Sequence, residues 1–135
     1  MKEIENIAKW YRLDMKAVNE AEQRMGFSFP KSLRTVYQKY GYGFVTNTEG
    51  AINRLMDPLT CADIRLREDI YECDPDLELY ESSETDKILF FEVNEGVYIS
   101  IGINDEKIYF MNEIIAYDLS EFLFKISENP DYWCE

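Results

Sequence analysis

The side chains of this sequence that could do chemistry are carboxylates, since its 135 residues include 27 Asp and Glu but no histidine. A protein without histidine has no Ser-His-Asp or Cys-His nucleophile and no mixed Cys/His zinc site. The GxGxxG, Walker A and GxSxG motifs are also missing from the sequence. Carboxylate pairs could still act as acid and base in glycoside hydrolysis, but chance proximity explains most pairs at this abundance. We therefore expect neither catalysis nor a cofactor.

The densest run of carboxylates is residues 68–86, here called the acidic segment, which contains nine Asp and Glu and no Lys or Arg. Asp74, Asp76 and Glu78 alternate like the first ligands of an EF-hand calcium loop. Leu79 and Thr85, however, stand where that loop needs glycine and a bidentate glutamate. A metal site is therefore not predicted here.

Two interpretations of the acidic segment remain open. Charge runs are usually solvated, mobile loops, and Pro75, Ser82 and Ser83 interrupt any regular pattern. The alternative is an acidic docking surface, because apolar groups that could anchor a partner are interleaved at Ile70, Tyr71, Leu77, Leu79 and Tyr80. On this second interpretation the candidate partner-binding residues are Glu68, Asp69, Tyr71, Glu72, Asp74, Asp76, Glu78, Tyr80 and Glu81.

The formal net charge is −13, and it is distributed unevenly along the chain. Residues 1–40 have eight Lys and Arg against five Asp and Glu, a net charge of +3, whereas residues 41–135 have six against 22, a net charge of −16. Such a surface repels phosphate and anionic lipid, so we expect no direct nucleic-acid binding and no membrane association. A partner of the C-terminal part should be basic.

The length and composition favour one globular domain over residues 1–135, because 46% of the residues are hydrophobic. Cys61, Cys73 and Cys134 have no paired spacing, which is typical of a reducing compartment. The first residues lack the apolar stretch of a secretion signal, so we expect a cytoplasmic protein. We expect it to be a monomer or a weak homodimer.

Glycine and proline define the first turns of the chain. Met15, Val18, Ala21 and Met25 have helical spacing, and Gly26 predicts a left-handed cap that ends this helix at Met25. Pro30 predicts that the next helix begins at residue 30 or 31. The buried stripe of that helix is predicted to be Leu33, Val36, Tyr37 and Tyr40, and Gly41 and Gly43 follow it.

Caps and apolar spacing predict three further helices. The spacing of Ile4, Ile7, Trp10 and Tyr11 predicts a short amphipathic helix over residues 4–11, and Asp14 should cap the helix after it. Asp57 and Pro58 precede a helix predicted over about residues 60–71. Asp118 with Glu121 resembles a capping box and begins a closing helix whose apolar face is Leu119, Phe122, Leu123 and Ile126.

The other segments predict strands over residues 42–45, 51–55, 87–93, 97–103, 108–111 and 114–117, with turns at 46–50, 94–96 and 104–107. Residues 97–103 show the clearest alternation, and residues 87–93 are a near-continuous apolar run. For Tyr132, Trp133 and Cys134, packing on the fold and contact with a partner are equally open. The predicted fold class is α+β: a mainly antiparallel sheet packed against N-terminal helices and a C-terminal helix.

The order of these motifs resembles the SUKH superfamily, the Smi/Knr-like proteins. In that family a helix ends in Glu, two residues, a hydrophobic residue and Gly, and continues through a hydrophobic-Pro step into a helix with a Gly-rich end. The matching residues here are Glu22, Met25, Gly26, Phe29, Pro30, Leu33, Tyr37, Tyr40, Gly41 and Gly43. Residues 55–59, 98–102 and 116–123 resemble later motifs of the family, whereas Phe29 replaces its commoner leucine and Tyr42 separates its two glycines.

The resemblance implies a function in binding rather than catalysis. Many bacterial SUKH proteins are immunity proteins that neutralise a cognate polymorphic toxin, often a nuclease, by direct stoichiometric binding, and fungal members regulate cell-wall glucan synthesis. The expected partner is therefore a basic toxin domain, since nucleases bind phosphate and an acidic inhibitor can occupy the same field. The alternative is a cytoplasmic adaptor or regulator of the Smi/Knr cell-wall type.

Overall fold

Each strand of the sheet pairs with its neighbours in the sequence. The computed structural model describes residues 4–46 and 51–134, and there seven antiparallel strands lie in the order β1 to β7. The strands are β1 Ala8–Tyr11, β2 Tyr42–Val45, β3 Arg54–Leu55, β4 Lys87–Asn94, β5 Val97–Gly102, β6 Ile108–Phe110 and β7 Glu113–Ala116. The α-helices are α1 Met15–Met25, α2 Lys31–Lys39, α3 Pro58–Leu66 and α4 Leu119–Glu128. The predicted α+β class and antiparallel meander are confirmed.

The turn between α1 and α2 is held by a carboxylate of the SUKH-like motif. Gly26 adopts a left-handed φ of 86° and ends α1 at the predicted residue, and α2 begins directly after Pro30. The Glu22 Oε2 atom accepts a hydrogen bond of 2.7 Å from the Phe29 backbone N–H and lies 3.1 Å from Arg34 Nε. Glu22 therefore fixes the angle at which the chain leaves α1, a role that its position in the motif alone does not show.

The predicted helix over residues 4–11 is wrong. Ile4–Asn6 form a 3₁₀ turn, and Ala8–Tyr11 form the edge strand β1, paired with β2 from Ala8 opposite Val45 to Tyr11 opposite Tyr42. The reason lies 34 positions further along the chain from Lys9, because a Cβ added at Gly43 would overlap the backbone carbonyl of Lys9. Glycine at that position lets β1 approach β2 closely, and the pairing outweighs the helical spacing.

Helix α4 packs across one face of the sheet, as predicted. The Asp118 Oδ1 atom accepts a hydrogen bond of 2.8 Å from the Glu121 N–H, which confirms the predicted cap. The Phe122 ring lies 4.9 Å from that of Phe91 and 5.9 Å from that of Phe90. All four predicted apolar residues of this helix are buried in the core: Leu119, Phe122, Leu123 and Ile126.

Two element boundaries differ from the predictions. Helix α3 begins at Pro58, where Asp57 accepts hydrogen bonds from Thr60, and ends at Leu66 instead of residue 71, because Arg67 takes a left-handed φ of 53°. The predicted strand over 51–55 is reduced to Arg54–Leu55. The predicted turn at 46–50 lies mostly outside the described residues, which omit 47–50.

The C-terminal aromatic residues pack on the sheet. Tyr132 donates a hydrogen bond of 3.0 Å to the Ile115 carbonyl oxygen, and the Trp133 ring lies 4.9 Å from that of Phe110. Of the two interpretations left open for this end, the structure supports packing on the fold for these two residues. All three cysteines are free, and no helix within residues 4–46 and 51–134 is long and apolar enough to cross a membrane.

Candidate partner-binding surface

The acidic segment is packed on the sheet by two of its own apolar side chains. Asp69–Tyr71 and Pro75–Tyr80 form 3₁₀ helices, and Leu77 and Tyr80 are 1% and 2% exposed. The Tyr80 ring packs edge-on against Tyr98 of β5 at 5.7 Å, and its hydroxyl oxygen lies 2.9 Å from the Tyr98 backbone N–H. This contact buries the second face of β5, where the sequence predicted simple alternation.

Ion pairs hold the two ends of the acidic segment. Arg24 of α1 pairs with Glu68 at 2.9 Å and also with Asp63 of α3 at 2.6 Å. At the other end Glu84 pairs with Arg67, and Asp86 lies 2.8 Å from Lys87. Three of the nine carboxylates, those of Glu68, Glu84 and Asp86, are therefore compensated by cations within the fold.

Arg65 adds a backbone clamp at the same end. Its Nη1 atom donates to the carbonyl oxygens of Glu84, at 2.5 Å, and of Lys87, at 2.6 Å. Burial raises the pKa of Glu84 above its ordinary value, although the hydrogen bond from Arg67 opposes this shift. The segment thus leaves α3 and enters β4 at constrained positions, rather than as a free loop.

The other six carboxylates of the segment have no ion pair among the residues that the structure describes: Asp69, Glu72, Asp74, Asp76, Glu78 and Glu81. Five of these carboxylates are exposed, and Asp74 is half-buried. The Asp74 Oδ1 atom accepts a hydrogen bond of 2.9 Å from the Asp76 N–H, which caps the second 3₁₀ helix. An acidic field without internal counterions is available to a cationic partner.

The predicted contact residues are not equally accessible. Glu68, Asp69, Glu72, Asp76, Glu78 and Glu81 are exposed, and Tyr71 and Asp74 are half-buried. Tyr80 is a correction: its side chain belongs to the core, so it positions the segment and offers no surface to a partner. The apolar residues exposed among the carboxylates are instead Ile70, 77% exposed, and Leu79, 65% exposed.

A charged pair that sequence reasoning missed lies beside the acidic segment. Arg54 of β3 stands opposite Glu92 of β4, and Arg54 Nη2 lies 3.2 Å from Glu92 Oε1. Burial raises the pKa of both Tyr71 and Glu92, and Arg54 partly offsets each shift. Tyr71 therefore connects the acidic segment to this pair. Strand register alone brings these groups together, and no local pattern indicates it.

Two cavities within residues 4–46 and 51–134 differ from the acid–base arrangement that the enzyme interpretation needs. A 60 Å³ cleft is lined by Asp86, Asn104 and Asp105. The hydrogen bond from Lys87 lowers the pKa of Asp86. Burial raises the pKa of Asp105, but the hydrogen bonds from Tyr109 and from the Lys107 N–H, with the Lys107 charge, together outweigh burial, so this pKa is also lowered. A 250 Å³ groove between α2 and α4 has no carboxylate in its lining. The described residues contain no group of three His, Cys, Asp or Glu placed to hold a metal.

Comparison with known proteins relates this chain to a protein family. The family model described as SMI1-KNR4 cell-wall, named SUKH_6, matches residues 15–123, from the start of α1 into α4. A protein of Bacillus subtilis (strain 168) called Immunity protein YxxD is 37% identical over 129 residues, which cover 93% of this chain and 88% of the relative. The family model covers the whole acidic segment, and the match to the relative covers most or all of it.

Proposed function

The chain belongs to the SMI1-KNR4 family of SUKH proteins, and from this premise we propose that it is an immunity protein that neutralises a cognate toxin by direct, stoichiometric binding. The observation that supports a particular binding surface is the set of six carboxylates without an ion pair among the described residues. These carboxylates are displayed on 3₁₀ helices that Leu77 and Tyr80 anchor. Family membership supports a binding role, and the geometry supports a place for it.

Charge complementarity supports a basic toxin domain, such as a nuclease. An enzyme that binds phosphate presents Lys and Arg near its active site, and an acidic inhibitor occupies the same field. The inhibitor then needs no catalytic group, because covering the substrate site is sufficient. Attraction between the surfaces speeds association, and this effect weakens as salt screens the charges.

Further parts of the proposal concern the state of the protein. We propose a single domain over residues 1–135 that acts in the cytoplasm as a monomer or weak homodimer. The contact set that follows from exposure is Glu68, Asp69, Tyr71, Glu72, Asp74, Asp76, Glu78 and Glu81, with Ile70 and Leu79 as apolar contacts between the charges.

The test uses the toxin domain that co-purifies with this chain from its host. Purified domain and chain are mixed, and titration calorimetry measures affinity and stoichiometry; co-expression then measures protection of cells from the toxin. We expect a one-to-one complex, loss of toxic activity in the complex, and weaker binding at higher salt. Failure of the pair to bind, or capture of several unrelated proteins in its place, would favour the adaptor or regulator instead.

A further inference from the structure

Three aromatic side chains form an exposed cluster on the outer face of strands β1 and β2. This aromatic patch consists of Tyr11, Tyr42 and Phe44; Tyr11 is 38% exposed and Phe44 is 40% exposed. The rings of Tyr11 and Tyr42 are stacked at 5.6 Å, and Phe44 meets Tyr11 edge-on at 6.4 Å. Because the rings pack on one another, little side-chain freedom remains to be lost when a partner binds them.

Core packing does not account for the exposed rings of Tyr11 and Phe44, although the half-buried Tyr42 also packs against the core. Along β2 the neighbouring Val45 is 5% exposed and points into the core, whereas Phe44 points away from it. The face that carries the patch is therefore the face of β2 where a soluble sheet usually places polar residues. Exposed clusters of this kind on an otherwise polar surface commonly mark interaction sites.

Strand register places the aromatic patch on the same side of the sheet as the acidic segment. Phe44 stands opposite Arg54, Arg54 opposite Glu92, and Glu92 opposite Tyr98, so these four side chains share one face. The acidic segment covers the far end of this row, because Tyr80 packs on Tyr98. At about 5 Å per strand, Phe44 lies about 10 Å from Glu92, within the footprint of a single protein interface.

We propose that the aromatic patch is the second contact area for the toxin domain and that it receives arginine-rich, partly apolar surface of that domain. This inference rests on the proposed function and extends its contact surface from residues 68–81 to strands β1 and β2. Arginine suits both halves of the surface, because its guanidinium stacks on aromatic rings and pairs with carboxylates. Glu92 is already paired with Arg54, but the carboxylates of the acidic segment that have no ion pair among the described residues favour a cationic occupant over a neutral one.

The patch already holds one cation of its own chain. Lys9, also on β1, places its Nζ 5.6 Å from the centre of the Tyr11 ring. That contact is at the edge strand, on the side of the patch away from the acidic segment. Phe44, which is exposed and nearer to the Arg54–Glu92 pair, is therefore the ring most open to a cationic side chain of the toxin.

The test compares substitutions at two exposed sites on opposite edges of the sheet. The double variant Y11A/F44A removes the patch, and I114A/Y117A is its matched control on and just after β7, where these two side chains are 44% and 66% exposed. Binding to the toxin domain that co-purifies with this chain is measured by titration calorimetry and by dissociation rate. We expect the patch variant to bind about tenfold or more weakly, as loss of aromatic interface anchors does. The control should stay within about twofold.

The rate constants separate this surface from the acidic one. Loss of the aromatic patch should raise the dissociation rate and leave the salt dependence of binding unchanged, because the patch carries no charge. If wild type binds and the patch variant binds equally well, this inference is overturned while the proposed function stands. If wild type does not bind, both fail.

Two further outcomes are decisive. Sedimentation of the free protein reports whether the patch instead joins two copies of this chain; a dimer lost in the patch variant, with toxin affinity unchanged, would overturn the inference. If circular dichroism shows that the double variant is unfolded, the single variant Y11A, at an exposed position of the edge strand, provides the same comparison.

Discussion

The hydroxyl oxygen of Tyr80 accepts a hydrogen bond of 2.9 Å from the backbone N–H of Tyr98. This bond joins the acidic segment to the start of strand β5, where both groups are buried. Repulsion among its nine carboxylates would keep this segment extended in solvent if no contact held it on the sheet. The bond, together with burial of Leu77, turns a run of charge into a surface of defined shape.

Replacing Tyr80 with Phe should destabilise the protein by about 1–3 kcal/mol, because the buried Tyr98 N–H loses this acceptor while the ring is kept. Chemical denaturation measures the free energy of unfolding. Tyr117→Phe is the control, since that side chain is 66% exposed, and we expect a change below about 0.5 kcal/mol there. Equal effects of the two substitutions would contradict a structural role for the bond.

Reversing the charge of Glu72, Glu78 and Glu81 to Lys should slow association with the toxin domain by about tenfold or more at low salt. These three are exposed, while Asp74 is left unchanged because it caps a 3₁₀ helix. The control reverses Glu20, Glu113 and Glu128, which are also exposed and change the net charge equally. Stopped-flow kinetics at several salt concentrations distinguish the two variants; similar slowing in both would show that only net charge matters.

The two glycine substitutions should differ in cost. In Gly43→Ala the new Cβ overlaps the Lys9 carbonyl, so β1 must separate from β2, and we expect a loss of about 3 kcal/mol or more. In Gly26→Ala nothing lies within 4 Å of the new Cβ, and only the left-handed φ of 86° is strained, at about 1–2 kcal/mol. Denaturation midpoints rank them, and a milder effect at Gly43 would argue against close strand approach.

The contribution of Glu84 to the free energy of unfolding should fall as pH rises, which is the opposite of what an ion-paired carboxylate usually gives. Burial raises its pKa above 4.5, and its Oε2 atom is buried without a hydrogen-bond partner in the described part of the chain. A raised pKa in the folded state gives stability that is complete below the unfolded pKa and is lost as pH rises through the folded one. The free energy of unfolding of wild type minus that of Glu84→Gln should therefore fall as pH is raised from the ordinary Glu value of 4.5 towards neutrality. Denaturation of both proteins across this range checks the sign, and a rising difference would mean that Arg67 dominates.

Local signals predicted the helices well. Gly26, Pro30, Asp57 and Asp118 act within one turn of their own positions, so the sequence around each residue contains the information needed. Strand β1 was predicted as a helix because its deciding partner, Gly43, lies far away in the sequence. Arg67 ended α3 early for a similar reason, since its side chain binds Glu84 at the other end of the acidic segment.

The sequence predicts the charge of the candidate surface, but not which of its residues are accessible to a partner. The sequence shows nine carboxylates, but not that three of them are neutralised by Arg24, Arg67 and Lys87. It suggested Tyr80 as a contact because tyrosine is common at interfaces, whereas packing on Tyr98 buries it. The alternation of Tyr42 and Phe44 with Gly43 and Val45 was visible, but Tyr11 joins them only once residues 8–11 are known to be a strand.

The strictly sequential order of the seven strands also has a consequence for synthesis. Every strand pairs with the strand just before or after it. The pairings among β4 to β7 close short turns, whereas about 30 residues separate β1 from β2 and β3 from β4. Strands β1 to β3 and the acidic segment leave the ribosome before β4 and β5, on which that segment is seated. The acidic segment therefore takes its final position only after β4 and β5 have been synthesised. The surface proposed to bind the toxin is complete only once most of the chain has left the ribosome.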